Sequence, residues 1–230
     1  MPYRSRPDVG RQGRLSQPTV PKLPASLTAA KLPDDDLRDE GVCLSLEYVD
    51  ADLSKRDVAS VEIDRCRFKT VNFGQTELDR ALISDSVFEG CDFANLRTRD
   101  CSLTRVSLAS SRMTGVSWIQ GSLRQVTFEG CRMDMASFRF SQFKSVVFSG
   151  CRLAQADFQE ADLRGARFDR CDLTSAQFSK AQMEGTRFAD CGLDGLNGVT
   201  SLRGSIITGR DALALVYSLA GALGITIEDD

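Results

Sequence analysis

From Leu46 to Leu193 the chain repeats itself every five residues, without insertion or deletion. The third place of each quintet holds a large apolar residue (Tyr48, Leu53, Val58, Ile63, Phe68 and so on to Leu193), and of these thirty places only Thr98 is polar. Twelve of the thirteen phenylalanines fall on the series, and only Phe140 lies off it. The first place of each quintet is small, most often Ala, Cys, Val or Ser, and the second is mostly polar. A period of five fits neither a helix at 3.6 residues nor a strand at 2. It fits a backbone that turns a corner every five residues and sends two side chains inward from each straight segment. Four segments close a square coil of 20 residues, and Cys91, Cys131, Cys151, Cys171 and Cys191 recur at multiples of 20. A coil of this kind buries its inner face only by stacking on its neighbours. The chain is therefore predicted to be an all-β solenoid, a quadrilateral parallel β-helix over residues 41–195. Thirty quintets make seven and a half coils, roughly 36 Å of column at about 4.8 Å per coil.

Local details agree with the coil. No proline follows Pro33, as expected where each coil donates backbone N–H groups to the next. Gly90, Gly130 and Gly150 precede column cysteines, at corners where positive φ is useful. Thr98 stands in a large slot while Leu96 fills a small one, a swap that roughly conserves volume. One coil on comes Trp118, the only tryptophan, with Gly121 in the next small slot. Thr98 and Gly121 are predicted to make room for the indole. Arg56, in an inward small slot, predicts an irregular first coil.

The ends differ from the middle. Residues 1–40 read as a disordered tail. Met1 to Pro33 holds all six prolines and six basic residues against the single acid Asp8, a composition too poor in apolar surface to offset the entropy of ordering. Such a tail is either a solvated extension or an electrostatic tether to an acidic surface. Residues 196–230 read as a cap with a short α-helix over about 209–223, Asp211 near its positive end and Gly224 at its stop. Leu213, Leu215, Val216, Tyr217, Leu219 and Leu223 make this helix apolar on more than one face. It either caps the last coil or caps it and also pairs with a second copy as a homodimer.

Catalytic and metal chemistry find little footing. The chain contains no histidine, and its eight cysteines include no C-x-x-C pair, so no metal, cofactor or catalytic residue is assigned. Seven cysteines occupy the small inward slot, where a buried thiol acts as a small hydrophobe. There is no G-x-S-x-G elbow and no P-loop. The chain reads as a non-enzyme. It shows no stretch long enough to span a membrane and no apolar signal-peptide core, so a cytoplasmic location is expected. Direct nucleic-acid binding is not expected at a net charge of −3.

What remains is the exterior, where charge is banded. Residues 41–96 sum to −5, residues 97–152 to +6 and residues 153–230 to −5. Arg112, Arg132 and Arg152 stand 20 apart and should stack as a ladder; Arg124, Lys144 and Arg164 should make a second one. Stacked like charges cost stability unless they are screened or bound, so the ladders point to an anionic partner or to arginines crossing over neighbouring acids. Ile119, Arg139 and Phe140 form an outward apolar-basic patch suited to a protein contact.

Quintets such as Ala156-Asp-Phe-Gln-Glu, Ala161-Asp-Leu-Arg-Gly and Cys171-Asp-Leu-Thr-Ser resemble the pentapeptide-repeat family. The resemblance implies a right-handed quadrilateral β-helix. It is less specific for function, because a fold does not fix an activity. Within the family, quinolone-resistance and toxin-immunity proteins imply a DNA mimic that binds DNA gyrase or a related topoisomerase, often dimeric through a C-terminal helix. The basic central band does not suit such a mimic. The reading favoured by the residues is a protein-interaction scaffold of unknown partner, with gyrase-type DNA mimicry as the alternative.

Overall fold

The computed structural model describes residues 17–228. The expectation of disorder over residues 1–16 lies outside the described residues. A corner with positive φ, between 44° and 74°, falls on every fifth residue from Glu40 to Gly195. Twenty-five of these thirty-two corners are not glycine, although the left-handed region costs an L-residue roughly 1–2 kcal/mol. Stacking offsets the cost, since corner N–H groups donate to the next coil, as Lys55 does to the Gly74 carbonyl at 3.1 Å and Asp85 to Thr104 at 3.0 Å. At four corners to a coil, these make eight coils. A final irregular turn through Ile206–Ile207, paired with Arg187 and Phe188, brings the parallel solenoid to about nine turns.

Residues 101–120 illustrate one coil. The first side runs from Cys101 to its corner Arg105, the second from Val106 to Ser110, the third from Ser111 to Gly115 and the fourth from Val116 to Gln120. Each side pairs in register with the same side 20 residues away, so Leu103 faces Leu123 and Leu123 faces Phe143. The core is a column of first- and third-place side chains. On the second side Tyr48, Phe68 and Phe88 stack at 4.7 and 4.6 Å, and Phe128, Phe148, Phe168 and Phe188 at 4.8, 4.8 and 5.1 Å. Aromatic pairs usually prefer offset or edge contacts. Here identical slots and the coil rise set the parallel stacks.

The register begins at the Glu40 corner, one quintet before Leu46, where the repeat becomes legible in the sequence. Val42–Leu44 pairs with Glu62–Asp64, but its large slot holds Cys43, a small residue that hides the repeat. Tyr48 reaches over it, its hydroxyl donating to the Asp35 carbonyl at 2.8 Å. Arg56 does leave its inward slot: its Nε and a terminal nitrogen donate to Asp36 at 3.1 and 2.9 Å. Asp36 and the buried Leu37 thus cover the first coil.

Residues 17–40 depart from the expected disordered tail. Gln17 to Leu27 lie along the edge between the first and second sides, and Thr28–Ala29 adds a strand beside Leu46–Glu47. Composition argues for disorder because it counts buried apolar area. It does not register that prolines already lack backbone freedom and lose little on docking.

At the other end the expected helix over 209–223 is shorter. Asp211–Leu215 forms a 3-10 turn, and helix α1 spans Val216–Ala222. The tight turn draws Asp211 onto the column. Its carboxylate accepts the Cys191 N–H at 3.0 Å, the place that Ser111 Oγ takes for Cys91 at 3.1 Å. Leu215 follows into the core, while Leu213 and Leu223 stay 74% and 75% exposed.

Candidate interaction surfaces

On each side the second and fourth places point outward, and the fifth projects from a corner. These three places per quintet make up the exterior. The first ladder, Arg112, Arg132 and Arg152, rises up the third side in directly bridged succession, with Asp92 below it and Asp172 above. Arg112 pairs with Asp92 at 3.0 Å and Arg152 with Asp134 at 3.6 Å. Arg132 has no ion pair among the described residues. The ladder is therefore largely crossed over neighbouring acids.

The second ladder lies on the opposite, first side. Arg124 and Lys144 are direct cross-coil partners, both exposed, and among the described residues neither meets a carboxylate. Arg164 differs: it donates two hydrogen bonds to Asp162, at 2.9 and 2.6 Å. That pairing holds the Asp162 carboxyl below the usual range, so the top rung of the ladder is neutralised.

Phe140 sits at the corner where the fourth side meets the first, with φ 60° and 44% exposure. A corner residue in the left-handed region projects outward, which is why this phenylalanine escapes the core. The Arg139 guanidinium lies 5.5 Å from its ring centroid, a favourable cation–π distance. Ile119, one coil below Arg139, is half-buried rather than exposed. Phe140, Gln142 and Lys144 thus share one edge-to-edge strip of the first side, with Gln120, Ser122 and Arg124 beneath. The expected patch and the second ladder meet here; the first ladder stands away from both.

The cysteines belong to the interior. All eight are free and buried. Burial pushes the thiols of Cys66 and Cys91 up to about 11. Each column thiol is turned to backbone carbonyls, as Cys131 Sγ is to Leu108 at 3.5 Å. Among the described residues no group of Cys, Asp and Glu is placed to hold a metal ion, and no helix is long and apolar enough to cross a membrane.

A model of the pentapeptide repeat region matches residues 61–138 and 122–197, more than half of the 230 residues. The chain belongs to the pentapeptide-repeat family. No curated protein matches it in sequence. Among solved pentapeptide-repeat structures it is similar to HetL, involved in heterocyst differentiation regulation in the cyanobacterium Nostoc, at 18% identity over 73% of this chain and 85% of that one, with a TM-score of 0.39. It is also similar to QnrB1, a plasmid-mediated fluoroquinolone resistance protein, at 19% identity over 82% of this chain and 100% of that one, with a TM-score of 0.34. The family assignment rests on the repeat itself.

Proposed function

We propose that this pentapeptide-repeat protein is a non-catalytic interaction scaffold whose contact surface is the first side of its central coils. The observation that carries the reading is the stacked, carboxylate-free pair Arg124–Lys144 on the same strip as the exposed Phe140. A like-charge pair in cross-strand contact is destabilising on its own, and an acidic partner would relieve it. An aromatic residue flanked by a cation is the kind of anchor that dominates protein interfaces. The partner is thus a protein with an acidic surface and a pocket for one aromatic ring.

Charge reversal tests this. Arg124→Glu with Lys144→Glu and Phe140→Asp should leave the fold intact and abolish partner retention in an affinity pull-down. Arg112→Glu with Arg132→Glu, on the opposite side, should leave retention unchanged. Retention that survives the first set, or falls only with the second, contradicts the reading.

The charge pattern does not favour topoisomerase binding by DNA mimicry, because no side of the column carries a carboxylate in every coil. A supercoiling assay that showed relief or inhibition of gyrase would reverse that preference. The C-terminal segment supports a homodimer: residues 212–227 carry no charge, and Leu213, Val216, Leu219 and Leu223 are exposed. A self-complementary apolar surface of this kind suits a second copy. Leu213→Glu with Leu223→Glu should halve the mass measured by light scattering, and an unchanged mass contradicts the pairing.

A further inference from the structure

The segment Gln17–Ala30 has a periodicity of its own. Pro18, Pro21, Pro24, Leu27 and Ala30 are half-buried, while nearly all residues between them are exposed. Over Gln17–Pro24, before the bend at Ala25–Ser26 and the strand Thr28–Ala29, a three-residue period matches that of a polyproline II helix laid with one edge against a surface. Its backbone is held at matched intervals. The N–H of Thr19, directly after Pro18, donates to Gln125 Oε1 at 2.6 Å, and the N–H of Lys22, directly after Pro21, donates to Asp85 Oδ1 at 3.0 Å. Gln17 accepts from Arg167 at 2.6 Å further up.

The spacing has a physical basis. Three residues of polyproline II rise about 9.3 Å, and the two coils between Asp85 and Gln125 rise about 9.6 Å. A corner column of the solenoid is thus commensurate with a Pro-x-x-Pro segment laid along it. Beside that column the outward row is Val87, Ser107, Thr127 and Val147, small and uncharged in four successive coils. Val147 is only 7% exposed although its place points outward, and it lies at the level where the chain passes Pro18. Asp85 is fixed for its role by Arg105, which donates from Nε at 2.7 Å and again from a terminal nitrogen.

We propose that the edge between the first and second sides, from Asp85 to Gln125, is a binding groove for extended Pro-x-x-Pro segments, and that the chain's own Pro18–Lys22 occupies it in cis. The ligand in trans is a proline-rich segment of a partner with a basic residue after its second proline, where Lys22 now lies near Asp85. The attachment in cis is light, two backbone hydrogen bonds and one side-chain bond over Gln17–Lys22, so a competing segment can displace it. This site adjoins the Phe140–Lys144 strip, since Gln125 follows Arg124 in the chain, but it does not rest on that reading.

The test uses the full chain and a fluorescent peptide copying residues 15–27. Gln17→Ala with Pro18→Gly and Pro21→Gly weakens the seated segment without touching the groove. This variant should bind the peptide about tenfold or more tighter than the unaltered chain, because a groove filled in cis binds only through its free fraction. A peptide with alanine for every proline should bind neither chain, and adding Asp85→Ala and Gln125→Ala should remove binding. Equal affinity for both chains, or binding indifferent to the prolines, overturns the proposal. If the variant loses its cooperative melt, hydrogen exchange on the unaltered chain decides: excess peptide must speed exchange at Thr19 and Lys22, and unchanged rates overturn the site. A dimer that dissociates when the three residues are changed would mean that a second copy, not a partner, is the occupant in trans, and would overturn it too.

Discussion

Gly121 and Trp118 share one space: a Cβ on Gly121 would lie 2.1 Å from the indole Nε1. Trp118 itself stacks directly on Thr98 and is 6% exposed. The indole is held in a large slot only because the next small slot is empty and the slot below is underfilled. Gly121→Ala should therefore destabilise the fold by about 1–3 kcal/mol, the usual cost of overpacking. Adding Trp118→Phe should recover part of that loss, since neighbours in contact are not additive. Chemical denaturation of the single and double variants reads the coupling.

Asp211 closes the column by accepting the Cys191 N–H. Asp211→Ala leaves that buried donor without its partner, a loss of about 1–3 kcal/mol. Asp211→Asn keeps an acceptor oxygen in place and should be much milder. Urea unfolding of the pair separates a cap that works through a hydrogen bond from one that works through bulk alone, for which the two variants would cost the same.

Arg105 holds the Asp85 carboxyl below the usual carboxylate range, so folding favours its ionised form. Asp85 then contributes stability in full above its unfolded value of about 3.9, and the contribution fades as pH falls through the lower folded value. Unaltered chain and Asp85→Asn should differ in melting temperature near neutral pH and converge in acid. A gap that does not narrow as pH falls below the unfolded value contradicts this assignment.

The thiols test the packing of the whole column. None of the eight cysteines should react with a maleimide in the native state, and all eight should react in denaturant. Native labelling should follow the rate of global opening, because burial keeps the reagent from all eight thiols.

The architecture is legible in the sequence because a five-residue period with a fixed large slot admits few backbones. The same register correctly pairs Thr98, Trp118 and Gly121, and puts Phe140 outside. Three things stay hidden for physical reasons. Cys43 in a large slot masks the first coil. The docking of Gln17–Lys22 depends on Arg167, Gln125 and Asp85 presenting partners along one edge, which the composition of the segment does not carry. The pairing of Arg164 with Asp162 depends on which rotamer an exposed arginine takes, so spacing alone makes the ladder's third rung look free. Spacing does set the two ladders two corners apart, on opposite sides of the square, and that separation decides which of them can join the Phe140 patch.

Site-specific photo-crosslinking in the native cell tests the central claim most directly. A photoreactive residue at Gln142, between Phe140 and Lys144 on the first side, should capture one protein with an acidic surface; the same residue at Ala154, on the third side, should not. Equal capture at both positions, or capture at Ala154 alone, would contradict a scaffold that works through the first side of its central coils.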